Sequence, residues 1–239
     1  MGEREDGVSV APAETGPGVV PPALRHVLVT HAAWLSGSPQ GARADLSGVT
    51  FSGMRLESAN LKQANLRSAT FLESDLSNAD LSGAILEDAD FERATLSGAD
   101  LSGANLSRAR LAMTWIVNAS FSESVLHSVN FQKAHLRQSR FIEAAIQESN
   151  FRGADARHAT FHQARVFDSD FSDACLDEAV FYGARLQLCR FHAASAADVN
   201  FTSAKLETCD FTLADLARGK FGRAQLSNSS LHTATLNDA

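Results

Sequence analysis

Ala99-Asp100-Leu101-Ser102-Gly103-Ala104-Asn105-Leu106-Ser107-Arg108 repeats one five-residue phrase: small, polar, large apolar, polar, then a turn-permissive residue. Followed outward in both directions, the phrase never slips. Every fifth residue from Leu46 to Leu236 is apolar, giving 39 positions with 20 Leu, 14 Phe, two Ile, Val166, Ala156 and Ala196. Two residues earlier, from Ala44 to Ala234, 25 positions are Ala and six are Ser. Of the 15 Phe only Phe167 lies outside the large column, so the excess of Phe over one Tyr and two Trp is positional.

A period of five fits neither an amphipathic helix nor an alternating strand. With the large residue and the small one two before it both inward, the chain must turn within each unit. Successive units then stack into a solenoid whose core is columns of like residues. From Phe121 to Phe221 Phe takes every second large position, and earlier it recurs at Phe51, Phe71 and Phe91. A coil of four units, 20 residues, stacks both series and lets opposite walls share Phe.

The phrases at 99–103 and 104–108 carry the A(D/N)LxX signature, and on them residues 44–239 resemble the pentapeptide-repeat proteins. The resemblance implies an all-β fold: a right-handed quadrilateral β-helix of about ten four-sided coils. At ~4.8 Å per coil the rod would be about 45–50 Å long. Such proteins share a rod and differ in partners, so the resemblance informs fold more than function.

Residues 1–21, rich in Gly, Pro and Glu, are expected to form a disordered tail. Residues 22–43 read as a capping helix and lead-in. Pro21-Pro22 suits a helix start, Leu24, Val27, Leu28, Trp34 and Leu35 share a face, and Gly37 with Pro39 marks the stop. Trp34 is expected to cover the first coil. The repeat runs in register to Leu236, so Phe221, Leu226, Leu231 and Leu236 are expected to be bare, inviting a homodimer through the C-terminal coil.

The 239 residues carry 21 Lys+Arg and 28 Asp+Glu, a formal charge of -7, which argues against direct nucleic-acid binding. No apolar run suits a membrane span and no secretory signal is visible, so a cytoplasmic location is expected. The three Cys form no CxxC, and no HExxH, Walker, GxSxG or dinucleotide motif occurs. Cys189 and Cys209, 20 apart at the small position, read as stacked buried thiols. No catalytic residue, cofactor or metal is implied, and the expected protein is not an enzyme.

Two surface features stand out. Around Leu111–Val117 the outward Met113, Trp115 and Val117, with Val125 past the next corner, read as a protein-contact patch or a junction between repeat blocks. Residues 73–100 hold Glu73, Asp75, Asp80, Glu87, Asp88, Asp90, Glu92 and Asp100 against Arg93 alone. Glu73, Asp80, Glu87, Asp88, Asp90, Glu92 and Asp100 are taken as a candidate acidic wall. The expected function is a non-catalytic rigid scaffold binding a protein partner. The alternative implied by the resemblance is a DNA mimic that binds DNA gyrase or topoisomerase IV and protects it from quinolones or other poisons. The basic stretch from Arg108 to Arg165 runs against continuous mimicry.

Overall fold

The computed structural model describes residues 22–239; the expected tail, residues 1–21, lies outside the described residues. Parallel bridges join residue i to i+20 from Asp45↔Asn65 to Asp215↔Thr235. Each large residue donates its N–H to the next coil (Leu46 to the Asn65 carbonyl, 2.8 Å), and the residue before it donates to the previous one (Asn65 to the Ala44 carbonyl, 2.9 Å). Twenty residues therefore make one coil of four walls. In chain order these are the Leu126, Phe131, Leu136 and Phe141 walls, each named for one of its central residues.

Most walls end in a tight turn, in which the central carbonyl accepts the N–H three residues on, as from Ala64 to Leu61 at 3.0 Å. The residue two past the centre is left-handed even where it carries a side chain, as at Ser58 (φ 58) and Asp88 (φ 59). That conformation is costly for such residues. It is held because the same N–H bonds the next coil, Ser58 to the Ser77 carbonyl at 2.8 Å. At Gly98 (φ 71) a Cβ would meet the Asn78 side-chain oxygen, so a larger residue there needs that side chain to swing aside.

Inside, Phe51, Phe71 and Phe91 stack at 4.8 and 4.6 Å, and Leu111 ends that run. From Phe121 onward two opposite walls both carry Phe. Phe121, Phe141 and Phe161 stack on one wall at 4.9 and 4.7 Å, while Phe121 and Phe131 meet edge to face at 5.7 Å and 87°. Both arrangements suit aromatic quadrupoles. The small Ala column leaves the space they fill.

Helix α1 (Pro22–Leu35) covers the first coil. Leu24 and His31 are its buried residues, with Val27 and Leu28 packed beside them. Trp34 is only half-buried and stacks on His31 at 5.7 Å, so the deepest part of the lid is His31 rather than the expected indole. His31 Nδ1 accepts the Ala44 N–H at 3.0 Å, tying the helix to the repeat. Gly41 lets the lead-in pass the helix end, where any Cβ would overlap the Trp34 backbone. At the other end Leu226 and Leu236 are 38% and 41% exposed, whereas Leu206 one coil earlier is buried.

The Leu126 wall changes character along the rod. Its early coils keep the tight turn, as from Ala109 to Leu106 at 2.9 Å. From β1 (Val125–His127) it opens into a six-stranded parallel sheet with β2 (Ala145–Gln147), β3 (Arg165–Phe167), β4 (Arg185–Gln187), β5 (Lys205–Glu207) and β6 (Gln225–Ser227), paired in that order. Five of the six opened turns face a polar residue of the next coil, at Ser149, Ser169, Cys189, Cys209 and Ser229. Ser149 Oγ donates to the Leu126 carbonyl at 2.9 Å and accepts the Val129 N–H at 3.1 Å, occupying both ends of the lost turn bond. Ser229 does the same for Leu206 and Cys209, at 3.2 and 3.0 Å. The Cys189 and Cys209 thiols reach the Val166 and Leu186 carbonyls at 3.6 and 3.7 Å. Both thiols are buried, and the contact with Cys209 together with burial pushes the Cys189 thiol far above its ordinary range. They are structural bridges, and Cys189 is held protonated while its contact draws the Cys209 thiol the other way, below its ordinary value.

Candidate interaction surface

Trp115 occupies the position before Ile116 on the Leu136 wall, bridged to Thr95 behind and His135 ahead. Its indole is 52% exposed and lies flat on the His135 ring at 3.9 Å and 15°. The two rings wall a groove of about 640 Å³ completed by Val117, Arg137, Gln138 and His158. Arg137 and Arg157 both bond Asp155, at 2.7 and 2.8 Å, which fixes the polar floor. His158 Nδ1 sits 3.3 Å from Glu178 at the rim. An exposed aromatic anchor beside a hydrogen-bonded polar rim is the composition of a protein-contact site. The rigid coil holds both rings in place.

Met113, 42% exposed, lies on the corner leading into this wall, and Val117 follows Trp115 on the wall itself. Val125 does not join them. It is ten residues beyond Trp115, half a coil, and so stands on the Leu126 wall at the opposite side of the rod. His135, Arg137 and Gln138, one coil on, are the residues that complete the groove instead. A shift of 20 from Trp115, Val117 and Asn118 names all three positions.

The seven acidic candidates do not form one wall. Asp80 and Asp100 bridge each other on the Phe141 wall, Asp90 and Glu92 lie on the Phe131 wall, and Glu87 with Asp88 on the Leu126 wall and its corner. Glu73 stands at the corner that later carries Met113. Arginine from an adjoining coil meets most of them. Asp88 forms a two-point pair with Arg108 at 2.7 Å, and that guanidinium holds its carboxyl below the usual range. Glu92 meets Arg110 at 3.0 Å, Glu73 meets Arg93 at 3.6 Å, and Glu87 pairs with Arg67. Asp80 accepts the Ser82 N–H at 2.9 Å and Asp100 the Ser102 N–H at 2.9 Å, the local turn bonds expected of Asp at this position.

Among the described residues, no group of three or more His, Cys, Asp or Glu is placed to hold a metal, and no helix is long and apolar enough to cross a membrane.

HetL, a pentapeptide repeat protein involved in heterocyst differentiation regulation from the cyanobacterium Nostoc sp. strain PCC 7120, superposes with a TM-score of 0.71. Identity is 28%, over 82% of this chain and 86% of that one. QnrB1, a plasmid-mediated fluoroquinolone resistance protein, is 18% identical over 76% of this chain and 90% of its own, with a TM-score of 0.43. None of the curated proteins compared matches the chain. A family model described as pentapeptide repeats (8 copies) matches residues 44–83, 74–112, 104–141, 134–173 and 174–212. With that match along most of its length, the chain belongs to the pentapeptide-repeat family.

Proposed function

We propose that this protein is a non-catalytic, rigid interaction scaffold that binds a protein partner through its outer walls, with the Trp115 groove as the principal contact. The observation that carries the reading is the half-exposed indole fixed flat on His135 at 3.9 Å beside an ordered Arg137–Asp155 floor. A closed interior packed with Phe supports a binding rather than a catalytic role, since the large side chains that would line a pocket are consumed by the core. The exposed Leu226 and Leu236, beside the half-buried Phe221 and Leu231, support a homodimer through this coil. The acidic residues, dispersed over several walls and mostly paired with arginine, do not favour mimicry of DNA on a topoisomerase.

Quantitative co-purification tests the reading. A partner held by this groove is recovered with the wild-type chain and lost with Trp115→Ala. Equal recovery with both chains removes the groove from the account.

A further inference from the structure

The column before each centre on the Leu126 wall reads Val125, Ala145, Arg165, Arg185, Lys205, Gln225, in register through the parallel pairing of β1 to β6. Three cations on consecutive rungs are set about 4.8 Å apart at the backbone. Like charges directly opposite on neighbouring strands are unfavourable.

Several other columns pair opposite charges instead. Asp88 and Arg108, Asp90 and Arg110, Glu73 and Arg93, and Asp198 and Arg218 are opposite charges 20 residues apart in one column. Arg165, Arg185 and Lys205 make no ion pair and no side-chain hydrogen bond with any described residue, and all three are exposed. They rim a shallow groove of about 430 Å³ floored by Ile146 and Val166, and Phe167 stands 37% exposed across it.

We propose that this ladder is a docking site for a short acidic segment of a protein partner, laid along the rod axis with its carboxylates on Arg165, Arg185 and Lys205 and an apolar residue against Phe167. Charge complementarity selects an anion, and the rung spacing selects an extended one. Two flanking carboxylates limit its length: Glu143 shares the adjoining hollow with Arg165 and Arg185, and Glu207 sits beside Lys205 on β5. That closure and the overall charge of -7 favour a brief run of carboxylates over a long polyphosphate track. The ladder lies on the wall opposite Trp115, so the rod would hold two partners, or two parts of one, on separate faces. Its failure leaves the Trp115 reading untouched.

The probe is fluorescein-labelled hexaglutamate, followed by anisotropy at low ionic strength. The full chain is expected to bind it, and Arg165→Glu with Arg185→Glu should weaken binding by about tenfold or more. A control with the same charge change elsewhere, Lys133→Glu with Arg140→Glu, should leave binding within about twofold. Arg165→Gln with Arg185→Gln provides a milder variant if the reversal disturbs the thermal melt. The proposal is overturned by no binding by the wild type, by equal weakening by the control, or by tighter binding of hexathymidylate than of hexaglutamate. Complete displacement of the peptide by inorganic phosphate at matched charge would also overturn it, by reducing the ladder to a simple anion site.

Discussion

Ser149 Oγ sits in the gap between Leu126 and Val129, donating to the Leu126 carbonyl at 2.9 Å and accepting the Val129 N–H at 3.1 Å. One coil's side chain thereby replaces the internal turn bond of the coil before it. The same position on later coils holds Ser169, Cys189, Cys209 and Ser229, and each lies one coil ahead of an opened turn. Where the next coil offers Ala89, Ala109 or Val129 instead, the turn stays closed.

Ser149→Ala leaves two buried backbone groups without their bridge unless the Leu126 turn closes as the Leu106 turn does. A loss of about 1–2 kcal/mol is expected from urea unfolding, with the turn's recovery limiting it to that range. A change indistinguishable from zero would show that the bridge follows the strand rather than causing it.

Phe141 stacks on Phe121 and Phe161 and meets Phe131 and Phe151 edge on. The backbone rungs on both sides prevent collapse into the space it fills. Phe141→Ala should therefore cost about 3–5 kcal/mol in denaturant melts. A loss near that of a surface substitution would contradict a rigid, close-packed column.

His31 is buried against the first coil, and burial lowers its pKa from the ordinary 6.5, although the Lys62 backbone opposes the shift. With Nδ1 accepting from Ala44, the neutral ring carries its proton on the buried Nε2, which has no hydrogen-bond partner. As pH falls, the unfolded chain takes up the second proton before the folded one does. The lid's stability is then complete above about pH 6.5 and declines as pH drops toward the folded value. The melting advantage of wild type over His31→Gln should shrink between pH 7 and pH 5; a constant difference would refute the titration.

Because Glu73, Glu87, Asp88, Asp90 and Glu92 are met by arginine and spread around the rod, they offer no continuous phosphate-like face. Supercoiling by purified DNA gyrase should be unchanged when this protein is titrated in, with or without a topoisomerase poison. Inhibition or protection at micromolar protein would revive the mimicry reading against this arrangement of charge.

The five-residue period and the alternation of Phe with Leu made the coil and its stacked core legible, because each residue choice recurs at a fixed interval. Surface geometry was harder to read. Met113, Trp115, Val117 and Val125 are close along the chain, yet ten residues carry it half-way round the rod, while His135 at 20 returns to the indole. The acidic run from Glu73 to Asp100 is dispersed for the same reason. His31 carried no periodic signal, since one polar residue on an apolar helix face looks like an exception until the Ala44 N–H is found against it. The opened wall was present as Ser149, Ser169, Cys189, Cys209 and Ser229, 20 apart, but only the backbone bonds show what those side chains do.

A protein partner seated on the Trp115 wall lies against Val117 and away from Val125 on the opposite wall, so a photo-crosslinking residue placed at each position in turn distinguishes the two faces. A single partner captured from position 117, absent from position 125 and lost when Trp115→Ala is added, is the predicted result. Capture from 125 alone, or capture from 117 that survives Trp115→Ala, would contradict it.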